Sequence, residues 1–141
     1  MSLLTALDIN ASGLTAQRQR VEVSSANLAN SQTTRTPEGG PYRRRDVVFQ
    51  SISFAKHMDD AAASGLNGVE VSGVVEDEAS VDRRYEPGHP DADKLGYVEY
   101  PNINMMEEMA NLVEASRSYE ANISAVNIVK GMIAKTLEIG R

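Results

Sequence analysis

His57 and His89 are the side chains best suited to metal or proton chemistry, and they stand far apart in the chain. Neither has a second histidine at ligand spacing, and no cysteine exists to complete a zinc site. They read as surface or structural histidines. Asp91-Ala92-Asp93-Lys94-Leu95-Gly96 opens like a calcium loop. Its fifth position, Leu95, offers no side-chain oxygen, and its twelfth is Asn102 where a bidentate Glu belongs. With Pro87-Gly88-His89-Pro90 before it, the stretch reads as a tight turn. Glu76-Asp77-Glu78 and Asp82 form an acidic cluster. Paired carboxylates can cleave glycosides, but no tryptophan and no aromatic platform accompanies these, so they read as a solvated loop. No phosphate-binding glycine loop, nucleophile elbow or zincin motif occurs. The residues therefore predict no catalytic group, no metal and no cofactor.

Charge and composition narrow the partners. The 141 residues carry a net charge of −6, with pI near 4.9. Nucleic-acid binders need a basic stripe, and the one basic run, Arg43-Arg44-Arg45, reads as a solvated loop or as inter-subunit salt bridges. No apolar stretch is long enough to span a membrane. The absence of cysteine fits a protein that crosses a membrane unfolded. The start, Met1 to Asp8, has no basic n-region and no cleavage site, so any export is expected without a cleaved signal.

What must position these residues is a pair of heptad helices. Leu7, Leu14, Val21 and Leu28 fall seven apart, predicting a helix over 3–30 that starts with a Ser2 or Thr5 cap. Its second seam, Ala11, Arg18 and Ser25, is not apolar, and Gly13 costs helix propensity, so this helix is too weak to stand alone. Met105, Met109, Leu112, Ser116, Tyr119, Ile123, Val126, Lys130, Ile133 and Leu137 alternate steps of four and three. They predict a second helix, capped by Asn104, running to about Glu138 and stopping at Gly140, with this line facing a partner helix. On its outer face Glu114 pairs with Arg117 and Lys135 with Glu138.

All five prolines and six of the seven aromatics lie between Pro37 and Pro101. Strands are expected at 47–54, 68–75 and 97–100, with a mobile loop around 58–65. Phe49, Phe54, Val71, Tyr97 and Tyr100 are the expected core of that middle. The expected architecture is mainly α. Residues 1–34 and 102–141 form one coiled-coil domain, and 35–101 form a small β-hairpin-rich segment between them.

Ala11-Ser12-Gly13-Leu14 and Ala26-Asn27-Leu28-Ala29-Asn30 resemble the signature of the bacterial flagellar axial proteins. So does the C-terminal stretch of Glu107-Glu108-Met109 and Leu112-Val113-Glu114-Ala115-Ser116-Arg117-Ser118-Tyr119-Glu120-Ala121-Asn122. The stretches from Tyr85 to Asp93 and Tyr100 to Asn104 are similar to the short proximal-rod members of that family. The resemblance implies a periplasmic structural subunit of the basal-body rod, not an enzyme. It would be exported unfolded through the type III apparatus and stacked as a helical tube around the export channel to transmit torque. It implies partners in other copies, other rod proteins, the membrane-ring adaptor and the rod cap. Assembly would rest on Leu7, Leu14, Val21, Leu28, Met109, Leu112, Tyr119, Ile123, Val126, Ile133 and Leu137. The amides of Asn27 and Asn30 would cap or turn locally or bond across subunits. The rival reading is a soluble coiled-coil adaptor or export chaperone that folds stably by itself.

Overall fold

The computed structural model of the chain describes residues 3–53, 67–77 and 81–140. Helix α1 spans Leu3–Ala29 and α2 spans Met105–Ile139. Between them, β1 (Arg45–Ser53) pairs antiparallel with β2 (Asn67–Glu76), and β3 (Asp82–Tyr85) pairs antiparallel with β4 (Tyr97–Tyr100). The molecule is mainly helical, with two small two-stranded sheets in its middle. Phe54 and the 58–65 stretch lie outside the described residues.

The start of α2 follows its sequence. Asn104 sits in extended backbone and its Oδ1 accepts the Met106 N–H at 3.1 Å. Glu107 and Glu108 occupy the first turn, where the helix end favours negative charge. Gly140 follows the helix with a negative φ of −85°, so its left-handed freedom is not used there. Thr5 lies buried inside α1, two residues past its first described turn residue, and is not its cap.

The helices pack side by side and antiparallel. Asn27 meets Glu108, and Gly13 lies against Asn122, fourteen residues further along each helix. After α1 the chain turns back. Asn30 Nδ2 donates to the Ala26 carbonyl at 2.9 Å, and Tyr42 N–H donates to the Thr33 carbonyl at 3.1 Å. The reversal passes through Gly39 and Gly40, both at positive φ. This returns Tyr42, Arg44 and Arg45 to the last turn of α1. The β1–β2 ladder slips between Val48 and Phe49, leaving Ser72 out of the pairing, and Ser72 Oγ donates to the Val48 carbonyl at 3.0 Å. The hairpin rests on α1, where Ser12 Oγ accepts the Val69 N–H at 3.2 Å.

The middle does not hold the core expected of it. Phe49 is 37% exposed and Tyr97 is exposed as well, while Val71 is half-buried. Among the described residues the buried apolar side chains are Ala16, Val98, Tyr100, Pro101 and Ala115. Two of these are alanines, which bring little apolar area out of water compared with the 1.5–3 kcal/mol of a roughly full-sized aliphatic side chain.

Strand β3 was not legible because Asp-Arg-Arg-Tyr has no strand pattern. It forms because β4 presents matching partners: Arg83 Nη2 bonds Glu99 Oε1, and Tyr85 meets Tyr97 edge-on with ring centres 5.3 Å apart. Gly96 closes the turn at φ +83°, and a Cβ there would lie 2.9 Å from the Tyr85 ring. Gly96→Ala therefore combines a left-handed backbone with a steric clash, and should cost about 1–3 kcal/mol in urea unfolding. Gly88→Ala meets nothing within 4 Å and should stay within about 0.5 kcal/mol of the parent chain.

Candidate functional site

The acid-rich stretch once comparable to a calcium loop is structural. Asp93 Oδ1 accepts the backbone N–H of Leu95 at 2.7 Å and of Tyr97 at 2.9 Å. The Tyr97 bond is the main cause holding that carboxyl below its ordinary pKa. Asp91 accepts from Thr34 Oγ1 at 2.8 Å and pairs with Arg35 at 3.3 Å, pinning the linker after α1. His89 lies edge-on to Tyr100, and its Nδ1 accepts the Asp91 N–H at 3.1 Å. Among the described residues no three potential ligands gather at one point.

The strongest arrangement is a buried polar node between α1, α2 and the base of the hairpin. Asn27 and Glu108 are each 1% exposed. Asn27 Nδ2 donates to Glu108 Oε2 at 3.2 Å and to the Arg45 carbonyl at 2.8 Å. Asn27 Oδ1 accepts the Arg45 N–H at 2.9 Å and the Tyr42 hydroxyl at 3.2 Å. The amide thus pairs with the Arg45 backbone as a neighbouring strand would, and its two donors and two lone pairs are all used within the chain. Arg44 Nε donates to Glu108 Oε1 at 2.7 Å, giving the buried carboxylate its counter-charge. Partial burial works to lower the Arg44 pKa, and the bond and charge of Glu108 outweigh it, so it sits above its ordinary value. Burial pushes the Tyr42 hydroxyl up. Asn30 instead serves locally, bonding Ala26 and accepting from Thr33 Oγ1 at 3.2 Å. Sequence marks Glu108 only as part of the family signature and Arg44 only as part of a basic run, and it gives no sign of Tyr42; the Arg44 partner is Glu108 of the same chain, neither solvent nor another subunit.

This node also decides which helix faces meet, and the expected seam is corrected by it. Gly13, Arg20 and Asn27 of α1, seven apart, face Glu108, Ala115 and Asn122 of α2. Arg20 bonds Asn111 at 3.4 Å and Glu114 at 3.3 Å, so Glu114 takes its partner from α1 and not from Arg117. The glycine read as a propensity cost lets the backbones approach, since a Cβ at Gly13 would sit 3.1 Å from Asn122 Nδ2. On α1, Leu14, Val21 and Leu28 each lie one residue on from the contact line; on α2 half of the expected line, Met109, Ser116 and Ile123, lies one residue on from Glu108, Ala115 and Asn122, while Leu112, Tyr119 and Val126 stand four residues on, about 40° from that line. Leu7, Leu14, Val21 and Leu28 are half-buried, as are Leu112, Tyr119, Val126 and Ile133. Met109, Ile123 and Leu137 are 47%, 39% and 70% exposed.

One residue is about 100° of turn. In an antiparallel pair, a step toward the C-terminus rotates the two helices in opposite senses. Both displaced apolar lines therefore swing to the same side of the pair. Ser12, one residue before Gly13, lies on the opposite side and carries the hairpin. The helix pair is a layer with the β-hairpin on one side and two apolar lines on the other.

A chain with paired helices at its two ends matches a known class. The model for flagella basal body rod proteins matches residues 7–35, and the model for the C-terminal part of the rod FlgEFG proteins matches residues 94–139. These two matches define a flagellar basal-body rod protein. Full-length relatives narrow the class. The chain is 45% identical to the flagellar basal-body rod protein FlgC of Escherichia coli O157:H7 over 141 residues, all of both chains. It is 44% identical to that of Bacillus subtilis over 150 residues, again all of both, and 40% identical to that of Borreliella burgdorferi, covering 99% of this chain and 98% of the relative. The chain belongs to the FlgC family of proximal-rod proteins. Membership makes it a structural subunit of the flagellar basal body and not an enzyme.

Asn27→Asp should be far more damaging than Asn30→Asp. It removes both donors at position 27 and sets a second carboxylate against buried Glu108, a loss of about 3–5 kcal/mol. With so small an interior, the variant should lose its cooperative thermal transition by circular dichroism. Asn30→Asp, which gives up one local bond, should cost about 1 kcal/mol and keep it.

Proposed function

We propose that the chain builds the periplasmic proximal rod by packing the apolar side of its helix pair against other subunits. The observation that carries this is the shared side formed by Leu14, Val21, Leu28, Met109 and Ile123, away from the hairpin. The helices meet centrally through glycine, alanine and polar groups, and the larger apolar side chains beside that line are only half-buried, which leaves apolar area for neighbours. Residues 1–34 and 102–141 act as one coiled-coil domain, and 35–101 form a second segment whose hairpin rests on α1. Contacts between unlike faces do not close, and generate a tube that encloses the export channel and passes torque. Its partners are further copies, the other rod proteins, the membrane-ring adaptor and, during assembly, the rod cap. A chain with so few buried apolar groups is readily kept unfolded, which suits passage through the type III apparatus without a cleaved signal. No helix among the described residues is long and apolar enough to cross a membrane.

Dilute monomer should exchange amide hydrogens quickly over most of 3–29 and 105–139, because packing supplies most helical stability and little packing exists. Strong protection throughout both helices in a monomer would favour the self-contained adaptor. Ile123→Asp offers a test in cells. Ile123 does not face α1, so the monomer should keep its helicity and be secreted at normal levels. The buried carboxylate it places between subunits should stop rod assembly and swimming. Normal swimming by these cells would sink the assembly surface described above.

A further inference from the structure

The middle segment holds a cleft that the helix pair does not use. Thr34, Arg35, Gly40 and Pro41 of the linker form one wall, and the loop from Pro90 to Asp93 forms another with β3 and β4. Its volume is about 510 Å³, in the range of sites for small organic molecules. Asp91 ties the linker to the loop through Thr34 and Arg35, and Asp93 fixes the turn that leads into β4. Directed bonds within the chain therefore hold the cleft in shape.

Strand alternation sets what the β3–β4 side presents. Tyr97 and Glu99 share one face of β4, and their cross-strand partners Tyr85 and Arg83 stand on the same face. Val98 and Tyr100, on the other face, are buried. Tyr97 stays 43% exposed although Tyr85 meets it edge-on. Arg83 spends Nε and Nη2 on a single oxygen of Glu99, Oε1. Among the described residues Arg83 Nη1 and Glu99 Oε2 then have no hydrogen-bond partner. Arg35 gives Asp91 only Nη1, so its Nη2 and Nε are unused as well.

These spare groups decide the ligand. Guanidinium donors and a carboxylate acceptor lie beside an exposed phenol ring. A hydroxyl both donates and accepts, so it can bond either kind of group. The charges lining the cleft nearly cancel, Arg35 and Arg83 against Asp91, Asp93 and Glu99. A strongly charged ligand would meet its own sign as well as its opposite. A neutral molecule dense in hydroxyls satisfies donors and acceptors alike, and the C–H side of its ring can lie on Tyr97.

We propose that this cleft binds a neutral glycan, with Tyr97 as the stacking platform and Arg35, Arg83 and Glu99 bonding its hydroxyls. Asp91 and Asp93 hold the walls. The cleft lies apart from the helix pair, so this site stands or falls independently of the rod-subunit reading.

Amide NMR spectra of the full-length chain, titrated with cellotetraose and with chitotetraose, test it. At least one of these neutral sugars should shift the amides of Arg35, Arg83, Tyr97 and Glu99, with a Kd of about 1 mM. Tyr97→Leu keeps an apolar side chain against Tyr85 but removes the platform. Arg35→Ala changes an exposed side chain and keeps the Thr34 bond to Asp91. Each variant should bind roughly tenfold more weakly. Its sugar-free Leu95 amide should stay at the parent position, showing that the Asp93 turn is intact. If Tyr97→Leu moves that amide, Arg35→Ala decides alone. Arg43→Ala, an exposed arginine outside the cleft, should bind like the parent. No shift with either sugar up to about 20 mM, shifts confined to other parts of the chain, or parent-like binding by an intact variant would overturn the proposal. So would hexaglutamate or trialanine shifting the same amides at lower concentration than both sugars, because charge and not hydroxyls would then select the ligand.

Discussion

A buried glutamate is the constraint around which this molecule is arranged. Glu108 sits one turn into α2, almost wholly out of water, and a carboxylate in that position is costly unless it is paired and hydrogen-bonded. Arg44 supplies the charge and Asn27 the second bond. Because Arg44 opens the approach to β1 and Asn27 also pairs with the Arg45 backbone, one requirement fixes three things together. It sets the register of α1 on α2, the place of the hairpin, and the path of the linker between them. Sliding either helix by a residue would leave the carboxylate without its partners.

The same requirement explains why the helices meet through their poorer faces. A seam containing Asn27, Arg20, Asn111 and Glu108 specifies register but contributes little apolar burial, the trade familiar from polar positions in coiled coils. Small side chains at Gly13, Ala16 and Ala115 make room for it. The large apolar side chains are consequently displaced one step around each helix. The antiparallel arrangement gathers them on one side, and the hairpin occupies the other. A self-contained protein would be poorly served by this, since its interior is nearly empty of large aliphatic groups.

The middle segment follows the same style of construction. It is organised by directed polar contacts where a larger domain would use a core. Asp93 ties the turn between β3 and β4, Asp91 holds Thr34 and Arg35, and the Tyr100 hydroxyl donates to Glu86 at 3.0 Å. Arg84 lies over the Tyr100 ring at 4.7 Å, covering one of the few buried aromatics. The Pro-Gly-His-Pro-Asp-Ala-Asp stretch, which first invites a search for chemistry, is spent on backbone geometry.

Much of this was legible before any coordinates. Heptad spacing marked both helices, Asn104 marked the start of α2, and β-branched runs marked β1, β2 and β4, because each of these signals is local and periodic. The family signature around Asn27 was equally readable. Which face of each helix meets the other was not. Apolar periodicity says that a stripe must be covered, but it is silent on whether the cover comes from the same chain or another. Here long-range contacts, Asn27 with Glu108 and Gly13 with Asn122, set polar and small residues at the centre of the seam and left the apolar stripes half-buried beside it. Strand β3 escaped notice for a related reason, since its charged residues become a strand only when β4 is placed beside them. Sequence determined both helices, three of the four strands and the start of α2. The tertiary structure decided the faces, because the cost of burying one carboxylate depends on partners brought from three distant parts of the chain.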